Sequence, residues 1–232
     1  MFRELFVAAL GFLILASASA SEIEFSGYSW LIRDSHGTLA GPGPNIFASA
    51  AQSVEVDAEG NLRLTIRKGE TGWTSAEVSL PQALGYGTYE LEVETNPAEL
   101  DRQVVFGFFT YNSSPEQSHR ELDVELSYWG RPDETRNSQF VVQPDIPGAV
   151  NRFTISESNT LYRMRWTKGV AEFTALNADG QILHHWVKRE AVPDATGAKV
   201  LLNLWLAKGL PPQTESNVAF VVKSFRFTPV PE

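Results

Sequence analysis

Apolar and polar residues alternate with a period of two along nearly the whole chain, and no long segment carries the 3.6-residue period of an amphipathic helix. Strand side chains point to opposite faces in turn, so each alternating run reads as a β-strand with one buried face. The runs GTYELEVET, QVVFGFFTY, ELDVELSYW, SQFVVQP, NRFTIS, LYRMRWT, VAEFTAL, KVLLNLWLA and VAFVVKSFRFT are predicted as strands. SVEVDAEGNLRLTIRK reads as a hairpin turning at residues 58–61. NADG at residues 177–180 and GPGPN at residues 41–45 carry turn chemistry. Many short strands with short turns, and no linker or internal repeat, predict one all-β domain, a two-sheet antiparallel sandwich or jelly roll.

Residues 1–20 break the alternation. Arg3 precedes an apolar run over residues 5–15, and Ala18, Ser19 and Ala20 follow, the pattern of a signal peptide cleaved after Ala20. The run is shorter than the ~20 residues of a membrane span. The expectation is a secreted or periplasmic protein whose single domain covers residues 21–232. With 43% hydrophobic and 20% charged residues, that domain can build a sizeable core. It has no cysteine, so stability must come without disulfides, and thiolate-built zinc sites are excluded. The four histidines form no ligand set; His184 and His185 are adjacent and face opposite sides of a strand. A net charge of −9 gives no footprint for nucleic acid and mildly disfavours strongly anionic polymers. A neutral partner fits best, and neither metal nor cofactor is expected.

Within the alternation, RELDVEL sets Glu121, Asp123 and Glu125 on one strand face. Acidic alternation alone is weak evidence, because YELEVET and SVEVDAE look similar and half-exposed strands commonly read this way. The surroundings are more specific. FGFFTYN precedes the row and SYWG follows it. Rings beside carboxylates suit a sugar groove, since pyranose faces are apolar while hydroxyls need polar partners. Tyr111, Tyr128, Trp129 and Trp205 join a ring to a polar handle and are the better groove candidates.

GYGTYELEV, FFTYN, ELDVEL, LYRMRW and LLNLW occur in an order that resembles glycoside hydrolase family 16, the jelly-roll glucanases related to concanavalin A-like lectins. Within that family the bacterial lichenases, endo-β-1,3-1,4-glucanases, are the most similar group in motif. The resemblance covers most of residues 21–232. It implies a concave sheet with a substrate cleft, a β-linked polysaccharide (β-glucan first) as substrate, and action as a monomer. Glu121 is implied as nucleophile, Glu125 as general acid/base, and Asp123 as hydrogen-bonded toward the nucleophile. On a flat strand the outer Cα atoms of such a row lie about 13 Å apart. A retaining glycosidase needs its carboxyl groups about 5 Å apart, a difference that curvature and long Glu side chains can close. Substrate contacts are implied for Glu90, Phe109, Tyr111, Asn203 and Trp205, with Trp129 beside the row.

Some positions depart from the lichenase pattern. His119 stands where a tryptophan precedes the nucleophile, and Val141 and Gln143 replace an Asn and a Tyr facing substrate. LAKGLPPQ holds no second groove tryptophan. Lys223 replaces a metal-site aspartate, which argues against calcium there, and the lichenase disulfide is absent. A lectin-like binder and a transglycosylase are alternatives on the same fold. A purely structural sandwich would be favoured if Tyr111 and Trp205 were buried away from the carboxylates.

Overall fold

The computed structural model describes residues 21–49, 53–117, 120–144 and 146–230. The expected signal segment 1–20 and His119 lie outside them. Sixteen strands, numbered in chain order, account for most of this structure, with three short 3-10 turns among the described residues.

Six strands form the first sheet in the spatial order β11 (Val150–Phe153), β10 (Ser138–Val142), β9 (Leu122–Ser127), β8 (Val104–Tyr111), β15 (Lys199–Leu206) and β6 (Gly72–Ala83). Strand β2 (Tyr28–Ile32) joins β6 and carries β1 (Glu22–Phe25), while β3 (Ile46–Phe47) runs parallel to β6. The second sheet runs β5 (Leu62–Gly69), β16 (Val218–Pro229), β7 (Gly87–Val93), β12 (Thr160–Thr167), β13 (Val170–Leu176) and β14 (Ile182–Lys188), with β4 (Val54–Val56) beyond β5. The predicted hairpin is the β4–β5 pair, and NADG turns β13 into β14.

The two sheets are continuous along one edge, where the β5–β6 hairpin pairs Lys68 with Trp73 and Gly69 with Gly72. At the opposite edge no backbone ladder joins β14 to β11. Side chains close it: the His184 ring stacks on Phe153 at 4.0 Å and bonds Asn151, while Lys188 donates to the Gly148 carbonyl. His185 points the other way, exposed, and bonds Glu172.

Alternation decides what fills the interior. Val104, Phe106 and Phe108 of β8, Leu122, Val124 and Leu126 of β9, and Val200, Leu202 and Leu204 of β15 all belong to one core. Rings from the two sheets meet inside it: Phe106 stacks on Phe220 at 3.8 Å and Phe140 on Phe173 at 5.0 Å. Each such fully buried side chain contributes about 1.5–3 kcal/mol of apolar transfer. The intervening residues of β8, β9 and β15 necessarily face outward, across the back of the first sheet.

Candidate active site

That outward face carries a cleft of about 540 Å³. Glu121, Asp123 and Glu125 line it, as do Phe109 and Tyr111 from β8, Asn203 and Trp205 from β15, and Gln143 just past β10. Tyr111 and Trp205 therefore share one cavity with the acid row, which removes the main support for a purely structural sandwich.

The row is electrostatically uneven. Asp123 is only 6% exposed, and one of its carboxyl oxygens has no hydrogen-bond partner. Burial pushes its proton affinity well above the ordinary carboxylate range, with the charges of Glu125 and Glu121 and a hydrogen bond to Glu121 adding to the effect. Asp123 thus holds its proton more tightly than an ordinary carboxyl and can donate it toward Glu121. Glu125 is pushed up to about 7, chiefly by burial and further by the Glu121 charge; a hydrogen bond from Gln139 and the positive charge of Arg152 oppose the rise. Adjacent carboxyls are thereby given unequal proton affinities, the arrangement that acid and base roles require.

Residues opposite one another in antiparallel strands share a face. The register lines up Arg152, Gln139, Glu125, Gly107, Asn203 and Glu77 in a row running from β11 to β6. Gln139 donates directly to Glu125. At the far end Asn203 donates to Glu77 at 3.2 Å, and Arg33 holds both Glu77 oxygens at 3.0 and 3.1 Å. Burial lifts the Glu77 carboxyl, against the pull of Arg33 and Asn203. Gly107 is the gap in this row, since a Cβ there would lie 2.6 Å from Asn203 Oδ1. Arg33, Glu77 and Gln139 are site residues that sequence reasoning missed. Gln139 was within reach, because it shares a strand face with Val141 and Gln143.

Three candidates are corrected. Glu90 is not in the cleft: β7 belongs to the second sheet, where Glu90 is buried and paired with Arg163 at 2.8 Å and Arg226 at 2.9 Å. Glu77 supplies the cleft's additional carboxylate instead. Tyr128 lies under Arg102 and bonds the Ala98 carbonyl. Trp129 does not line the main cleft; it lies in a neighbouring depression that shares Trp205.

No protein-family model and no curated protein sequence matches the chain. Solved structures do. A prokaryotic β-1,3-1,4-glucanase (lichenase) derived from a mouse hindgut metagenome superposes with a TM-score of 0.66 at 20% identity, covering 87% of this chain and 93% of that one. The Bacillus licheniformis β-glucanase gives 0.63 at 22% identity, covering 86% and 91%. An immunostimulatory antigen of Mycobacterium tuberculosis described as a pseudo β-1,3-glucanase gives 0.65 at 19% identity, covering 87% and 91%. At these identities the likeness establishes the fold, the β-jelly roll shared by these glucanases.

Proposed function

We propose that the protein is a retaining endo-glycosidase of the family 16 type, exported from the cytoplasm, which hydrolyses a β-linked polysaccharide, β-glucan first among candidates. The observation that carries this reading is the row Glu121, Asp123 and Glu125 lining one cleft with Phe109, Tyr111 and Trp205, where burial raises the proton affinity of Asp123 and Glu125. Glucanase chemistry among proteins of the same fold supports it.

In this mechanism a Glu121 carboxylate oxygen attacks the anomeric carbon. The glycosidic bond breaks with its electron pair going to the leaving oxygen, which takes the Glu125 proton. Glu125, now ionised, removes a proton from water as the water oxygen attacks the same carbon. The glycosyl ester breaks, Glu121 is released, and the configuration is retained. Asp123 keeps its proton and steadies Glu121 before attack and after release. Phe109, Tyr111 and Trp205 offer apolar faces to sugar rings; Asn203 and Glu77 offer polar partners to hydroxyls.

The test is product release from mixed-linkage β-glucan, laminarin, xyloglucan and agarose by the protein and by Glu121→Gln. Cleavage by the unaltered protein, reduced about 10³-fold or more in the variant, is the expected outcome. Binding without cleavage by either protein would replace hydrolysis with glycan recognition, a role open to the same fold. Turnover retained by Glu121→Gln would overturn the nucleophile assignment.

A further inference from the structure

Trp205 also lines a second depression of about 570 Å³, together with Gly43, Pro44, Trp129, Arg131, Ala207 and Lys208. Trp129 and Trp205 meet edge to face with centroids 5.7 Å apart, in a small apolar cluster separate from the main core. The rim is built from backbone shapes that ordinary residues avoid. Trp129 and Lys208 both have φ of 57°, a left-handed conformation unusual for any side chain and an outlier for a bulky aromatic. The Trp129 amide is pinned by a 2.7 Å bond to Ser127 Oγ, and the next amide by a bond to the Arg102 carbonyl. A Cβ on Gly43 would come within 3.4 Å of the Trp205 ring, and one on Gly209 within 2.6 Å of the Pro44 carbonyl oxygen. Strained residues held this firmly cluster at ligand clamps. The Trp129 indole N–H, moreover, is buried with no acceptor among the described residues, a condition that calls for an explanation.

The charge here runs against the chain's net charge of −9. Lys208 is exposed and has no ion-pair partner among the described residues. Arg131 is also exposed, 3.9 Å from Glu134, which is more closely engaged by Arg136 at 3.1 Å and is also shared with Arg152. A neutral sugar needs a ring to stack on and hydroxyl partners. What two weakly paired cations add is recognition of an anion.

We propose that this depression is a distal subsite for an acidic sugar unit, a pyranose bearing a carboxylate or a sulfate, whose apolar face Trp129 covers and whose anion Arg131 and Lys208 pair. The proposal rests on the reading of the main cleft as a glycan cleft, with which the depression shares the Trp205 wall. It also narrows the expectation of a wholly neutral partner. The unit cleaved beside three carboxyls is neutral, and the charged unit lies farther along the same chain.

The experiment follows the Trp129 indole N–H resonance in isotope-labelled protein, assigned with Trp129→Phe, during titration with methyl β-glucuronide, methyl β-glucoside 6-sulfate and methyl β-glucoside. The expected result is a saturable shift with at least one anionic sugar and an apparent affinity about 5-fold or more weaker for the neutral glucoside, from the sum of two exposed ion pairs. Which anion responds identifies the substituent. In the Arg131→Gln, Lys208→Gln double variant, checked for an unchanged unfolding temperature, the preference should disappear. An indole silent to all three sugars, an equal response to the neutral one, or a preference surviving in the double variant would overturn the proposal. None of these outcomes depends on turnover. Failure of the glycosidase reading shows separately, as neutral polysaccharides left uncut or as Glu121→Gln remaining active.

Discussion

Glu125 owes its proton to burial, and two neighbours limit how tightly it holds it. As a general acid it must be protonated, so kcat/KM should fall as pH rises through about 7. Gln139 stabilises the ionised form, so Gln139→Leu should move that alkaline limb upward, a shift readable in the pH profile. Glu125→Gln should cost about 10²–10⁴-fold in kcat on substrates with poor leaving groups and much less on activated aryl glycosides. The same residue burdens the fold. Its carboxyl titrates near 4.5 when unfolded and near 7 when folded, so between those values the folded state binds more protons and stability falls as pH rises. Thermal or denaturant unfolding should therefore find Glu125→Gln more stable than the parent near pH 8, by on the order of 3 kcal/mol at most, and no more stable near pH 4. The identity of the row was legible because E-x-D-x-E is compact in sequence. Its uneven protonation was legible only in part, since crowding is visible in the letters but burial, the larger cause, is not.

At the level of the strand, period-two alternation fixes which side chains share a face but not which sheet the strand joins. SAEVSL carries one glutamate and YELEV two, all among apolar neighbours. One places Glu77 in the cleft and the other places Glu90 across the molecule, between two arginines. The pairing that separates them, β6 with β15 and β7 with β16, links segments more than a hundred residues apart. Glu90→Ala should accordingly cost stability, about 1–3 kcal/mol for the lost charge-assisted hydrogen bonds to Arg163 and Arg226, while leaving KM unchanged; urea unfolding and steady-state kinetics test the two halves. Gly107 makes the opposite case. Gly107→Ala should displace Asn203, loosen its bond to Glu77 and raise KM, at about 1–3 kcal/mol of stability, and kinetics beside a denaturation curve would show both effects.

For the whole molecule the fold was readable from the run of strands and turns, because a chain alternating this regularly has few ways to bury its apolar faces other than stacking two sheets. The rings that join those sheets carry much of the stability. Phe106→Ala, which removes the stack on Phe220, should cost about 3–5 kcal/mol, seen as a lowered urea midpoint at constant slope. The sandwich is bound unequally along its two sides. One is a spine of continuous backbone at the β5–β6 hairpin, the other a clasp of side chains from β14 to β11. A book bound this way opens from the clasp. Burial holds the His184 ring below its usual proton affinity, so the clasp is firm while the ring is neutral and slackens as pH falls below the unfolded value of about 6.5. Amide exchange should then begin along β11 and β14, the leaf that bears Arg152 and lies next to Gln139, and the part of the molecule that tunes the acid would be the first to breathe.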